Sequence, residues 1–150
     1  MWINIRVKGG AYGCMSSFTR SGETYFTSYR DPNLRKTNEI YDKIPEYLRG
    51  FEADEHEMTK YIIGTLGGLD TPLYPEGIGH RSMTAYLKNI SFEELQKERD
   101  EILNATEEDI RKLADLIEAI LTDQNFCVIG NENNIHKEKD MFGTIRSLYE

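Results

Sequence analysis

Residues 6–30 read RVKGGAYGCMSSFTRSGETYFTSYR, and two features of this stretch decide the fold. Residues 14–30 are rich in Ser, Thr, Tyr and Phe and are broken in the middle by RSGE, which predicts two strands joined as a β-hairpin. Tyr25, Thr27 and Tyr29 alternate with Phe26 and Ser28, so one face of the second strand can pack while the other stays wet. Upstream, Gly9 and Gly10 stand between Arg6 and Tyr12 and offer no side chain to a core. Adjacent glycines permit positive φ and close backbone approach, so they predict a turn that brings Arg6 and Tyr12 to one place.

Downstream the periodicity changes from two to 3.6. Asp31-Pro32 reads as a helix start, followed by Leu34, Thr37, Ile40, Tyr41, Ile44, Leu48 and Phe51 on one face, with a kink expected at Pro45. Gly50 marks a break. Asp54 with Glu57 predicts a capping box that opens a helix through Met58, Ile62, Ile63 and Leu66, stopped by Gly67-Gly68. Residues 67–81, GGLDTPLYPEGIGHR, are crowded with glycine and proline and read as an irregular connection. A helix through Met83, Tyr86 and Leu87 is expected next. Ser91 with Glu94 predicts a second capping box ahead of a charged helix, and Thr106 with Asp109 opens a helix whose Ile110, Leu113, Leu116, Ile117, Ile120 and Leu121 form an apolar stripe. FCVIG, 126–130, reads as a buried strand, and a short helix follows Asn131.

Strands and helices are segregated along the chain, which predicts an α+β class: an antiparallel sheet with helices on one face. At 150 residues and 17.4 kDa the chain has the size of one domain, 1–150. No run is long and apolar enough for a membrane span, and the N-terminus lacks a signal-peptide pattern. A net charge of -8 argues against an extended phosphate-neutralising surface and with it a nucleic-acid partner. Cys14 and Cys127 are too few for a disulfide framework and read as free buried thiols in a reducing soluble compartment, cytoplasmic or an organelle matrix.

Searches for self-contained chemistry fail. His56-Glu57 begins like H-E-x-x-H, but Lys60 stands where the second ligand belongs, and neither His80 nor His136 lies at ligand spacing from a Cys, Asp or Glu pair. No metal is therefore assigned to this chain, and His56 reads as an exposed helix residue. GGAYG lacks the lysine and serine of a phosphate-binding loop, and no serine sits in G-x-S-x-G. Arg6 and Tyr12 remain: a guanidinium fork and a phenolic donor, suited to gripping peptide carbonyls or an oxyanion. A plain turn with a surface arginine and a core tyrosine would use the same residues.

Residues 6–30 followed by Asp31-Pro32-Asn33-Leu34, together with FEADEHEMTKYIIGTL, DTPLYPEGIGHRS, FEELQKERDEILNAT and VIGNENNIHKEKDMFG, closely resemble the C-terminal domain of the presequence-protease branch of the insulinase, or pitrilysin-like, zinc metallopeptidases. The likeness spans nearly the whole chain. It implies a zinc endopeptidase that degrades unfolded peptides in a closed chamber, built from four similar α+β domains. By the resemblance this chain is the fourth, the zinc belongs to the N-terminal half through an inverted H-x-x-E-H absent here, and the chain alone is inactive.

The resemblance further implies that Arg6 and Tyr12 reach the substrate across the chamber, Arg6 fixing its backbone and Tyr12 donating to the oxyanion, while Gly9 and Gly10 turn the chain from a helix end into the strand that carries Tyr12. Its partners would be the peptide substrate and the zinc-bearing half. Domains of this kind are larger than 150 residues, so the reading includes truncation at the N-terminal side, with Met1–Ile5 as the tail of a helix. Uncovered apolar surface would then cause self-association. A non-catalytic peptide-binding or assembly module on the same fold is the alternative.

Overall fold

The computed structural model describes residues 1–148. Its contacts group into two compact units, Met1–Arg49 together with the chain from Leu113 onward, and Gly50–Lys112.

The first unit begins with a π-helical turn, Trp2–Val7, and the hairpin of β1 (Gly13–Phe18) and β2 (Thr24–Tyr29). The strands pair antiparallel with Cys14 opposite Ser28 and Phe18 opposite Thr24. Gly22, at φ +86°, closes the RSGE turn, and the Thr19 N–H donates to the Glu23 carbonyl at 3.0 Å. Alternation separates the two faces. Cys14 and Phe26 face inward: Cys14 is buried with Ile5 and Ala11 in a small core against Met1, Ile40 and Tyr41, and the Phe26 ring stacks on Tyr41 at 5.6 Å. Met15, Tyr25 and Tyr29 lie on the opposite face, each more than half exposed. The expected α+β architecture, with helices against one side of an antiparallel sheet, is present.

Helices α1 (Leu34–Asp42) and α2 (Ile44–Arg49) replace the single kinked helix. Pro45 has no N–H to donate back to Tyr41, so the helix stops at Lys43 and restarts with proline in its first turn, where no donor is needed. The start also differs from expectation. Asn33, not Asp31, is the N-cap, and its side chain makes no cap bond because its amide donates to the Gly9 carbonyl at 2.6 Å. Asp31 instead accepts from the Asn33 N–H at 2.9 Å and the Thr37 hydroxyl at 2.7 Å. A tertiary bond has moved the helix boundary by two residues.

The second unit holds α3 (Glu55–Leu69), α4 (Pro75–Leu87) and α5 (Phe92–Leu103), and receives the start of α6 (Glu107–Thr122). Both capping boxes form: Asp54 accepts from the Glu57 N–H at 2.8 Å, and Ser91 from the Glu94 N–H at 3.1 Å. Arg99 of α5 grips Asp70, just past α3, through two bonds of 2.6 and 2.7 Å. Phe51 is buried beside Tyr61, and its carbonyl accepts from Arg111 Nε at 2.9 Å. The irregular connection expected over 67–81 is present only over 70–74. α3 continues through Gly67-Gly68, whose φ stays negative, and Pro75 opens α4 as its first residue. Glycine weakens a helix by about 1 kcal/mol without ending it.

At the head of α6 the Thr106 hydroxyl, the Thr106 N–H and Lys112 hold the Asp109 carboxylate down at about 2. A lowered folded value stabilises the fold above the ordinary carboxylate range, near ~3.9, and that contribution fades as pH falls through about 2. The Asp109 carboxyl carbon should therefore titrate near 2 by NMR, and Thr106→Val should move its midpoint upward.

The remaining expectation to fail is the strand at 126–130. Those residues carry no strand, and α7 (Glu132–Lys137) and a 3-10 turn, Lys139–Met141, follow. A strand requires a ladder partner. Here β2 and residues 124–131 instead line a groove of about 710 Å³, with Ile129 exposed and Phe126 resting on Phe142 at 5.3 Å. Cys127 is exposed rather than buried, and Cys14 is buried; both are free thiols. Among the described residues no helix is long and apolar enough to cross a membrane.

Candidate functional site

The two glycines act differently. Gly9 follows the π-helical turn so closely that a Cβ would lie 2.4 Å from the Ile5 carbonyl oxygen and 2.9 Å from that of Asn4. Gly10 adopts φ +81°, the left-handed region open to glycine at little cost. Its N–H donates to the Arg6 carbonyl at 3.0 Å and the Ala11 N–H to that of Ile5 at 3.2 Å, so the helix end is capped by the turn that follows it.

This turn brings Arg6 back to Tyr12: the Arg6 Nε donates to the Tyr12 carbonyl at 2.9 Å, and its guanidinium carbon sits 4.2 Å from the centre of the Trp2 ring. Tyr12 does not enter a core and is 67% exposed. Its N–H donates to the Tyr29 carbonyl at 3.1 Å, although Gly13 is the registered partner of Tyr29. This bond, made one residue before β1 begins, holds Tyr12 at the end of β2 beside Tyr29. The two rings meet edge to face at 5.9 Å.

Three residues that sequence reasoning passed over complete the cluster: Trp2, Tyr29 and Arg30. The Arg30 guanidinium lies 5.8 Å from the Tyr12 ring and 5.3 Å from the Tyr29 ring. No short-range pattern marks it, because only the strand register carries residue 30 back to residue 12.

Among the described residues, the guanidiniums at this cluster lack the ion pairs that four other arginines make. Arg35, Arg49, Arg99 and Arg111 each pair with carboxylates, and those contacts hold the guanidinium pKa of Arg35, Arg49 and Arg99 above its usual value. Arg6 and Arg30 meet aromatic rings and a backbone carbonyl instead, with no carboxylate partner among the described residues. The two guanidiniums present donors alone and the exposed phenol beside them can donate its O–H, an arrangement that suits carbonyl or oxyanion acceptors.

His56, His80 and His136 fall on α3, α4 and α7, all exposed. Among the described residues no three His, Cys, Asp or Glu side chains cluster to hold a metal ion.

A family model described as the PreP C-terminal domain matches residues 1–132. The chain belongs to the PreP C-terminal domain family. Protein HypA of Clostridium perfringens is 49% identical over 99% of this chain, and presequence protease 1, chloroplastic/mitochondrial, of Arabidopsis thaliana is 40% identical over 80% of it. The mitochondrial presequence protease of Drosophila melanogaster is 34% identical over 71%. The chain spans 15%, 11% and 10% of the length of these three relatives. As a PreP C-terminal domain it is related to part of a peptidase, and the Arg6–Tyr12 turn lies inside the matched region.

Proposed function

We propose that this PreP C-terminal domain is the substrate-gripping portion of a zinc metalloendopeptidase that degrades unfolded peptides. The observation that carries the reading is the turn at Gly9-Gly10, which ties Arg6 to the Tyr12 main chain and leaves both residues exposed. Arg6 holds the substrate backbone. Its Nε is committed to the Tyr12 carbonyl, which fixes the plane of the guanidinium and leaves the Nη donors for a peptide. Tyr12 donates to the oxygen on which charge develops during hydrolysis. The donors of these residues do not fit a zinc ion, so the hydrolytic centre is supplied by another part of the enzyme. The working compartment is a reducing one, an organelle matrix or the cytosol, consistent with two free cysteines.

The test uses a full-length peptidase containing this chain. Arg6→Ala should raise KM about tenfold, because a uniform binding contact is lost, while kcat changes less. An unchanged KM removes Arg6 from substrate binding. The isolated chain incubated with zinc and an unfolded peptide should produce no cleavage, and metal-dependent cleavage would refute the assignment.

The same reading accounts for uncovered apolar faces. Met15, Tyr25 and Tyr29 on the sheet, and Leu113 and Leu116 on α6, are each about half exposed or more. The zinc-bearing half would cover such surface in the intact enzyme, and the isolated chain is expected to self-associate instead. Light scattering across a concentration series checks this, a monomer at high concentration being the contrary result.

A further inference from the structure

We propose that Arg30 is a positioning residue of the site, holding the Tyr12 phenol against Tyr29 in the orientation from which it donates. This rests on the reading of Tyr12 as an oxyanion donor and adds to it a residue that nothing in the sequence pattern selects.

Two independent observations point to Arg30. Its guanidinium lies within cation–π range of both tyrosine rings, 5.8 and 5.3 Å from their centres, and has no carboxylate partner among the described residues. Its backbone stands at φ +48°, a left-handed conformation that a long side chain adopts only where the surroundings impose it. Those surroundings are built. The Tyr12 N–H bonds the Tyr29 carbonyl just before the corner. Just after it, Asp31 accepts from Asn33 and Thr37, and the Asn33 amide donates to the Gly9 carbonyl. The corner at 30–33 is thereby tied to the turn that carries Arg6 and Tyr12. Glycine at position 30 would satisfy the backbone with less strain, so the backbone conformation does not account for an arginine there.

The physical role follows from exposure. Tyr12 is 67% exposed, and without a neighbour its ring would sample several rotamers. The Tyr29 ring packs against it at 87° and Arg30 attracts its electron-rich face, so the phenol is preorganised before substrate arrives. A donor already in place requires no reordering in the transition state.

In a full-length peptidase containing this chain, Arg30→Gly should lower kcat about tenfold with KM changed less than about twofold, the size expected of one lost cation–π contact at a reacting centre. The variant should be no less stable than the parent, because its backbone strain is relieved. Arg30→Lys, which restores the cation, should recover most of the rate. In a Tyr12→Phe background, where no phenolic donor remains to be aimed, Arg30→Gly should cause no further loss.

Wild-type turnover in Arg30→Gly, a change confined to KM, or a full additional loss on top of Tyr12→Phe overturns the proposal, the last because Arg30 would then act without Tyr12. Tyr12→Phe measured alone separates the two ideas. If it turns over normally, the oxyanion reading falls and the role of Arg30 with it. If it is impaired while Arg30→Gly is not, only the role of Arg30 falls.

Discussion

Replacing Tyr12 by Phe in a full-length peptidase containing this chain should lower kcat by about 100-fold or more, while peptide binding and bound zinc stay at parental levels. The substitution deletes one hydroxyl. The ring remains, and with it the edge-to-face contact with Tyr29 and the neighbouring Arg30. The Tyr12 carbonyl that accepts from Arg6 is main chain and is untouched. Fold and substrate grip are therefore preserved, and the loss reports on the phenolic donor alone. Loss of one oxyanion donor costs about 2.7–4 kcal/mol of barrier, which sets the expected fall. Steady-state kinetics with metal analysis decides the matter: normal turnover at normal zinc content would mean that the exposed phenol has another role.

The second large effect is structural. Gly9→Ala places a Cβ 2.4 Å from the Ile5 carbonyl oxygen and 2.9 Å from that of Asn4, and both obstacles are backbone, which cannot swing aside as a side chain can. The turn must open, which separates Arg6 from Tyr12 and strains the Asn33 bond to the Gly9 carbonyl. We expect a loss of about 3 kcal/mol or more, at the upper end of overpacking effects. Gly10→Ala meets no backbone within 4 Å, only the edge of Pro32 at 3.8 Å, but must hold φ +81°, for a cost of about 1–2 kcal/mol. Gly13→Ala is the control. A Cβ at position 13 would find nothing within 4 Å, and the φ there is not positive, so the change should stay within about 0.5 kcal/mol. Chemical denaturation of the three variants, compared at constant m-value, ranks them. Equal effects at Gly9 and Gly13 would show that close approach is not what position 9 requires.

Both predictions concern residues named from the sequence, and the reason is local. The hairpin, the two capping boxes and the helix from Glu107 to Thr122 were legible because each is specified by neighbours along the chain: a turn glycine at position 22, a carboxylate three residues past an N-cap, an apolar stripe at helical spacing. The glycine pair was legible for the same reason, since a turn between Arg6 and Tyr12 needs no knowledge of the rest of the fold.

What failed was set by partners far along the chain, by the lack of a strand partner, or by a weak local preference that its surroundings outweigh. Asp31-Pro32 has the sequence of a helix start, yet Asn33 is drawn to Gly9, 24 residues away, and the helix begins later. FCVIG has the composition of a buried strand, but strand structure is a property of a pair, and across the groove from β2 it has no ladder to join. Gly67-Gly68 look like a stop signal, but helix propensity is a preference of about 1 kcal/mol per residue that the surrounding helix overrides.

By itself, then, the sequence determined the α+β class, the hairpin, most helices and the pairing of Arg6 with Tyr12, because these follow from steric and hydrogen-bonding rules acting over a few residues. Only the tertiary structure decided that Tyr29 and Arg30 stand beside Tyr12, because strand register and the Tyr12 N–H bond to the Tyr29 carbonyl join positions 12 and 29 through space, and no spacing along the chain encodes that meeting.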